Sequence, residues 1–371
     1  MKVAVLGGAG DMGSEAVRDL LNYPEVKQVT IIDLNTAAAN KLASTLGAGP
    51  RIKVRRVDAT SPGDLIKVLA GHTVVAGALG PFYRFEKPVV EATLMAGVDY
   101  VSICDDYDAA EAVLSLDQEA RDRGRKILTG LGWTPGLSNL LARKGHQELE
   151  DVTSIKIYWA GSAADSTGFA VILHTIHIFQ GLAASFQDGK FMEVQAGSGR
   201  EAVEFPDPLG RVYTFHVGHP EPVTIPRYLP GLSEVLLKGG LAERYLNQLA
   251  RLIGTLKLTD TGAKKQRIGR IMNALLPLFS SNKGRSRSGI RVDITGKRER
   301  KNVVVSYAAV DNMRRLTGIP LSIGAYLMGK GEIKRCGVYG PEAEGAVDPD
   351  RFLEELALRK VIVQRREEEL A

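Results

Sequence analysis

The chain has 371 residues, 44% of them hydrophobic and 25% charged, with a formal net charge of +5 and a pI near 9.0. At roughly 150 residues per domain, that length holds two or three domains, and a composition this close to the globular average sets disorder aside and allows a sizeable core. The mild basicity suits anionic small molecules as well as nucleic acid and decides between them no further. The two cysteines, Cys104 and Cys336, lie far apart in no metal or redox spacing and read as reduced thiols of a cytosolic protein. A strand pattern begins at Lys2, so no signal peptide is expected, and no apolar run approaches the roughly 20 residues that span a bilayer. The expectation is a soluble cytoplasmic protein.

In chain order, "KVAVLG" (Lys2–Gly7) is a continuous apolar run, as for a strand buried on both faces of a parallel sheet. "GDMGSEAVRDLLN" follows with Met12, Ala16, Val17, Leu20 and Leu21 at helical spacing, then the strand "QVTIIDL", the helix "TAAANKLASTL" and the strand "RIKVRRVDA". "SPGDLIKVLAG" opens a helix with Ser61 as N-cap and Pro62 at the first helical position. The strand "TVVAGAL", the helix around "EKPVVEATLMAG", the strand "DYVSIC", the helix "AAEAVLSLDQEARDRG" and the strand "KILTGLG" complete the run. Such βα alternation predicts a doubly wound parallel sheet, an α/β Rossmann-type domain.

Gly8-Ala9-Gly10-Asp11-Met12-Gly13 forms G-x-G-x-x-G at the first strand-to-helix junction. Gly8 serves the tight turn, Gly10 the approach of a pyrophosphate and Gly13 helix–strand packing, while the amides and dipole of the helix start face the phosphates. Alone the pattern is weak. Here it follows a strand, opens a helix and is followed twenty residues after Gly13 by Asp33, placed to accept hydrogen bonds from an adenosine ribose. An acid there repels a 2′-phosphate, and Leu34, Asn35 and Thr36 supply no base, so NAD is favoured and NADP stays possible through Arg55 and Arg56.

Ligands of open α/β sheets sit outside the carboxyl ends of the strands. The third strand ends at Asp58-Ala59, beside the expected adenine, and the fourth at Ala78, Leu79, Gly80 and Pro81, a small surface for cofactor ribose and phosphate. Cys104, Asp105, Asp106 and Tyr107 end the fifth, and Trp133, Thr134, Pro135 and Gly136 follow the sixth, both near the expected nicotinamide. Asp105 is the candidate for gripping an ammonium group, with Tyr107 for proton transfer, while Asp106 or Asp108 suits an N-cap. Asn139, in the first turn of "LSNLLARKG", either faces substrate or caps the helix.

From "VTSIKIYWAG" onward the alternation stops. Longer strands, among them "RVYTFHVG", "GIRVDITG" and "NVVVSYAAV", predict a second, α+β domain on a largely antiparallel sheet, with Lys301-Asn302 and the charges before it turning the last two into a hairpin. His174 and His177 share one face of a helix; no third or fourth ligand stands near, so no metal is expected, and His174 is carried as a proton-transfer candidate. Arg227 in "TIPRYLPG" is a candidate carboxylate clamp or else a rim arginine. The basic run Lys264, Lys265, Arg267, Arg270, Lys283, Arg285, Arg287, Arg291, Lys297, Arg298, Arg300 and Lys301 lacks interleaved aromatics and reads as solvated loops, with no nucleic acid expected. Thr317-Gly318-Ile319-Pro320 starts a helix through "LSIGAYLMG", and the tail "RKVIVQRREEELA" reads as a fraying helix end. The expected domains are 1–135, dinucleotide binding; 136–310, substrate binding and dimerisation; and 311–371, packing back on the first.

"VLGGAGDMGSEAVRDL", "VVAGALGPFYRFEKPVVEATLMAGVDYVSICDDYDAA", "GLGWTPGLSNLLA" and "TGIPLSIGAYLMGKGEIKRCGVYGPE" resemble the saccharopine dehydrogenase-like family, which includes saccharopine reductases, lysine 6-dehydrogenases and carboxynorspermidine-type enzymes. The resemblance covers most of the chain; residues 165 to 300 match in layout more than in residues. It implies hydride transfer between NAD(P) and a carbon bearing nitrogen on an amino-acid-like substrate, within amino acid metabolism. The family's glycines fall on Gly8, Gly10 and Gly13, its ribose acid on Asp33, its fourth-strand loop on Ala78 to Phe82, its acidic strand end on Asp105 and its turn on Trp133 to Gly136. NADP-using members place a base after the acid, and its absence here adds to the NAD expectation. Two other readings stay open: an oxidoreductase acting on an alcohol or carbonyl, and a dinucleotide-binding regulatory protein without turnover. A homodimer is expected from the exposed face of the second sheet.

Overall fold

Apolar runs and amphipathic stretches alternate from Lys2, and the backbone follows them. The computed structural model describes residues 1–162, 165, 169–243, 245, 247–249, 262–279 and 287–370, so Lys283 and Arg285 of the basic run lie outside the described residues. The first stretch comprises β1 (Lys2–Leu6), α1 (Asp11–Leu20), β2 (Gln28–Asp33), α2 (Thr36–Leu46), β3 (Ile52–Arg56), α3 (Pro62–Leu69), β4 (Val74–Gly77), α4 (Phe82–Ala96), β5 (Asp99–Ser102), α5 (Tyr107–Leu114), α6 (Asp117–Asp122) and β6 (Lys126–Leu128). Then come α7 (Leu137–Glu148), β7 (Glu150–Gly161), α8 (Phe169–Ile178), β8 (Leu182–Gln187), β9 (Lys190–Gln195), β10 (Glu201–Phe205), β11 (Gly210–His216), α9 (Glu221–Tyr228), β12 (Glu234–Leu241), α10 (Gly262–Phe279), β13 (Ser288–Arg298) and β14 (Lys301–Asp311). The chain finishes with α11 (Met313–Gly329), β15 (Gly337–Tyr339), α12 (Pro349–Leu358) and β16 (Val363–Glu369).

Two compact units result: Met1–Leu137 with Arg314–Phe352, and Ser138–Met313 with Leu353–Ala371. The first holds a seven-stranded sheet in the order β15-β6-β5-β4-β1-β2-β3, every pair parallel. This is a Rossmann-type sheet whose strand order reverses between β1 and β4. Its central strands are buried, and Leu6, Ile32, Val75 and Tyr100 pack with Leu65, Leu69, Val89, Val90 and Leu94 of α3 and α4, while the edge strand β3 is half-buried to exposed. Helix ends carry the expected stops: Asn35 Oδ1 accepts from Ala38 N at 3.0 Å to start α2, and Gly47 and Gly97 take left-handed conformations after α2 and α4. The expected helix 109–124 is broken into α5 and α6.

α11 begins at Met313, earlier than Thr317, and carries Pro320 in its interior. It lies against α1 because Gly318 has no side chain: a Cβ there would stand 2.7 Å from the Met12 carbonyl oxygen and 2.7 Å from Glu15 Cβ. Tyr23 and Tyr326 stack at 3.7 Å beside this contact. Asp117 Oδ1 accepts from Val338 N at 2.8 Å and holds β15 at the sheet edge.

The second unit holds a mixed sheet in the order β10-β11-β12-β7-β13-β14-β16, with β8 on β12 and β9 on β8. β12 runs parallel to β7 and the other pairs are antiparallel. β13 and β14 alternate buried and half-buried residues, the period of a sheet covered on one face. The hairpin forms as expected, with its turn on the charges before Lys301: Glu299 and Arg300, at φ 50° and 68°, make the two-residue connection, and Lys301 and Asn302 are paired strand residues. Both central residues at positive φ is the geometry that matches strand twist, and it is usually signalled by Asn-Gly. The tail differs from expectation, since residues 363–369 are the edge strand β16, paired with β14 from Val363↔Ala309 to Glu369↔Val303. Residues 353–371 therefore join the second unit rather than the nucleotide unit. Charges along β16 suit an edge, where they oppose pairing with other chains. Among the described residues, no helix is long and apolar enough to cross a membrane.

Replacing Gly318 by valine forces the two helix backbones apart, with an expected loss of about 3 kcal/mol. Gly63, in the first turn of α3, has nothing within 4 Å of a built Cβ, so G63A is expected to gain about 0.5–1 kcal/mol. Urea unfolding of the two variants beside the parent measures both.

Candidate functional site

The first unit's site is built on the turn from β1 to α1. The turn itself is made at Gly7, φ +73°, rather than at Gly8. Gly10 N donates to the Gly7 carbonyl at 3.1 Å and Ser14 N to the Gly10 carbonyl at 2.9 Å. A Cβ on Gly13 would fall well inside contact distance of the Gly7 oxygen, so α1 reaches the strand only through a glycine. Gly10 is different: its φ is −74°, and a Cβ would meet only the Gly7 oxygen, at 3.3 Å. Space is therefore kept above Gly10 that folding does not require. Gly10 is the N-cap of α1 and no side chain among the described residues caps that end, leaving the amide-rich start, with Asp11 and Met12, suited to an anion.

Asp33 ends β2 as expected and is held rigidly. Its Oδ2 accepts from Ala9 N at 3.0 Å and its Oδ1 from Asn35 N at 2.9 Å. The next residue, Leu34, is 55% exposed, an apolar surface beside the acid. Arg56 is the register partner of Asp33 across the β2–β3 pair. Asp58 accepts from both the amide and the hydroxyl of Thr60, at 2.9 and 2.6 Å; those bonds hold its carboxyl below the ordinary range and shape the loop, with Ala59 between them. Ala78 lies on the turn: a Cβ on Gly7 would strike its carbonyl, and Ala78 N donates to Leu6 O at 2.8 Å. Leu79, Gly80 and Pro81 continue to the start of α4.

The end of β5 gathers carboxylates with different fates. Asp105 and Tyr107 are half-buried and Asp106 fully buried. Asp106 stands at the N-cap position of α5, yet its Oδ2 accepts from Tyr83 N at 2.8 Å in the first turn of α4. The Cys104 thiol is buried and raised well above its usual range by that burial, so it is a protonated packing group. Glu86 on α4, which the sequence reading passed over, is buried beneath this strand end. It accepts from Tyr100 Oη at 2.9 Å, Thr129 Oγ1 at 3.2 Å and Ser102 Oγ. Burial pushes its carboxyl to about 7, against those three hydroxyls and with help from Asp105. Trp133 is buried in the loop where Gly132 N donates to Pro135 O at 2.9 Å and Gly136 takes φ +125°.

In the second unit Asn139 lies in the first turn of α7, fully buried, with Nδ2 facing Thr224 Oγ1 at 3.4 Å. Its neighbour Ser138 contacts Glu221 Oε1 at 2.8 Å and Asn139 Oδ1 at 3.0 Å. Glu221 opens α9, and His219, two residues earlier, brings Nδ1 to 3.5 Å from Glu221 Oε2. His174 meets the His219 ring edge-on at 5.3 Å, whereas His177 accepts from Lys265 Nζ at 2.8 Å, so the two helix histidines face different partners. Arg227 is exposed in the last turn of α9, at the far end from Glu221. His219 and Glu221 carried no sequence signal, because "HVGHPEP" follows no spacing that marks a site.

Residues 3–128 match the family model described as the saccharopine dehydrogenase NADP binding domain. The match lies within the first unit. Among solved structures it is similar in fold to apo saccharopine dehydrogenase (L-Glu forming) from Saccharomyces cerevisiae, at TM-score 0.69 and 17% identity, over 100% of both chains. It is also similar to an NADPH-dependent quinone oxidoreductase from Escherichia coli at TM-score 0.28 and 22% identity, over 43% of this chain and 55% of that one. The matched domain supports an NAD(P)-dependent oxidoreductase, and the full-length likeness shows the fold. A nicotinamide dinucleotide fits the saccharopine dehydrogenase-type turn: the space above Gly10 and the uncapped start of α1 would take its diphosphate, and the fixed Asp33 carboxylate its ribose.

The Glu86 carboxyl has a pH signature. Its pKa is raised on folding, from the ordinary 4.5 to about 7, so the folded state holds a proton that the unfolded chain has released in that window. Stability from this group is complete below pH 4.5 and is lost as pH rises through 7, by about 3 kcal/mol. E86Q, which mimics the protonated acid, is expected to remove that slope. Urea unfolding of parent and variant at several pH values across the window reads the difference.

Proposed function

We propose that the chain transfers a hydride between a nicotinamide dinucleotide, NAD in preference to NADP, and a carbon bearing nitrogen (CH–NH or CH–NH2) of an amino-acid-like substrate. One observation carries the reading: the fold corresponds over its full length to a saccharopine dehydrogenase, while its nucleotide-binding segment matches that family's domain. The hydride chemistry is the cofactor's; the chain supplies binding, orientation and a place for a proton. Gly8, Gly10, Asp11, Met12 and Gly13 would receive the diphosphate, with Ala78 to Pro81 beside it. Leu34 offers its exposed face to the adenine, near Asp58 and Ala59. Asp105 and Tyr107, half-buried at the end of β5, are the residues of the nucleotide unit for the substrate's polar groups.

The NAD preference rests on Asp33. Its two oxygens are fixed by Ala9 N and Asn35 N, so the carboxylate cannot turn away from a 2′-phosphate, and bringing that phosphate in costs like-charge repulsion. Arg56 across the strand pair and the description of the matched domain as NADP binding are the features that favour NADP. D33S is therefore expected to raise NADPH affinity relative to NADH by about tenfold or more, measured by fluorescence titration.

Two further measurements test the whole reading. G10V should keep the fold, since its Cβ meets only one oxygen at 3.3 Å, and should weaken dinucleotide binding by about 100-fold. A G10V protein that folds and binds like the parent sinks the cofactor site. Turnover is then sought across amines, amino acids and 2-oxo acids with ammonia, each with both cofactors. Oxidation confined to alcohols would replace the nitrogen-bearing substrate class.

A further inference from the structure

We propose that the buried centre around His219 is a subsite for the ammonium group of the substrate, with Glu221 holding the cation and His219 accepting its proton. This goes one step beyond the reading of the chain as an amine-handling oxidoreductase and rests on it. His219 is 2% exposed, and neither of its ring nitrogens has a hydrogen-bond partner among the described residues. Buried polar groups are nearly always paired, and leaving one unmade costs about 1–3 kcal/mol. An orphaned imidazole beside a fully buried carboxylate therefore points to a ligand that supplies donors.

The surroundings select the ligand's chemistry. Glu221 Oε2 lies 3.5 Å from His219 Nδ1, an acceptor beside an amphoteric ring. Ser138 has a single hydroxyl proton, so it cannot donate to both Glu221 Oε1 and Asn139 Oδ1. Its hydroxyl stands between the two acceptors, and Asn139 Nδ2 donates to Thr224 Oγ1 at 3.4 Å. Aromatic rings close the centre, with Trp159 at 5.9 Å and His174 at 5.3 Å from the His219 ring. A carboxylate, an imidazole lone pair and an indole recognise a cation with N–H donors, namely a primary or secondary ammonium. A carboxylate or phosphate would meet Glu221 with like charge.

The geometry also gives the proton a destination. In the tautomer that carries its proton on Nδ1, Nε2 keeps the lone pair. One ammonium N–H bond breaks as an N–H bond to Nε2 forms, and the positive charge passes to the imidazole beside Glu221. The amine is left neutral with its own lone pair, the state needed before the adjacent carbon gives up a hydride.

The test uses the full chain with isotope-labelled histidine. Of its six histidines, residue 219 is identified by the spectrum of H219Q. L-Alanine, N-methyl-L-alanine and L-lysine are titrated at millimolar concentration, each beside its 2-hydroxy acid counterpart. At least one amine is expected to shift the His219 ring signals saturably while its hydroxy counterpart does not, and E221Q is expected to weaken that amine by about tenfold or more. Should E221Q fold poorly, S138A keeps the carboxylate, removes its hydroxyl and is expected to weaken binding by about threefold. If none of the amines moves His219, or hydroxy acids move it equally, the proposal is overturned. NADH fluorescence in the same samples separates the two readings. An amine that moves His219 in protein unable to bind NADH leaves the subsite standing and removes the oxidoreductase.

Discussion

The first unit is organised around one carbonyl, that of Gly7. Gly10 N donates to it, the missing side chain of Gly13 lets α1 come down upon it, and Gly7 itself must lack a Cβ because Ala78 O occupies that space. Strand, helix and the loop after β4 thus converge on a single peptide. The convergence aims the start of α1 across the strand ends, the arrangement by which an open α/β sheet receives phosphate. Asp33 belongs to the same knot, since its carboxylate binds Ala9 N inside the turn. The acid that would choose between cofactors also braces the loop that would hold them.

The returning helix α11 extends this constraint. Gly318 lays it on Met12 and Glu15, and Arg314 Nη2 reaches Ser14 Oγ at 3.1 Å. Two glycine-mediated approaches, one to the strand and one to α11, therefore fix the same helix from opposite sides. Close packing of this kind tolerates little added volume, which is why the helix that presents the anion site is among the best-held parts of the unit.

What the sequence made legible follows from how local each signal is. The βα alternation, the glycine turn, the Asp33 position and the Ser61-Pro62 helix start are all written within short windows, and the parallel sheet reproduces them. The second unit is held by pairings far apart in sequence, such as Ser138 with Glu221 and β7 with β13. No window contains both halves of such a contact, so His219 and Glu221 went unmarked although Asn139 and His174, two of their neighbours, were singled out. The turn's two central residues, Glu299 and Arg300, could be located only as part of a charged stretch, because neither residue advertises positive φ. β16 was missed because an exposed edge strand with charges on both faces has no period-2 apolar pattern to read. Glu86 hid inside an amphipathic helix, where a lone acid ordinarily faces water.

Two carboxyls beneath the end of β5 show how the fold divides labour between like groups. Asp106 receives a backbone amide at the start of α4, where the helix dipole favours negative charge. Glu86 receives only hydroxyls, which can turn to accept a proton from it as readily as they donate, and burial then decides in favour of the neutral acid up to about pH 7. Environments that push neighbouring acids apart are a recurrent means of setting local charge near a reaction. Here the consequence runs through Asp105, whose charge is one cause of the raised Glu86 value. Coupling works both ways: a cation drawn to Asp105 would lower the cost of ionising Glu86, and a neutral Glu86 leaves Asp105 with less repulsion to overcome. Burial thus places the Glu86 ionisation near neutrality, at the end of the strand that carries Asp105.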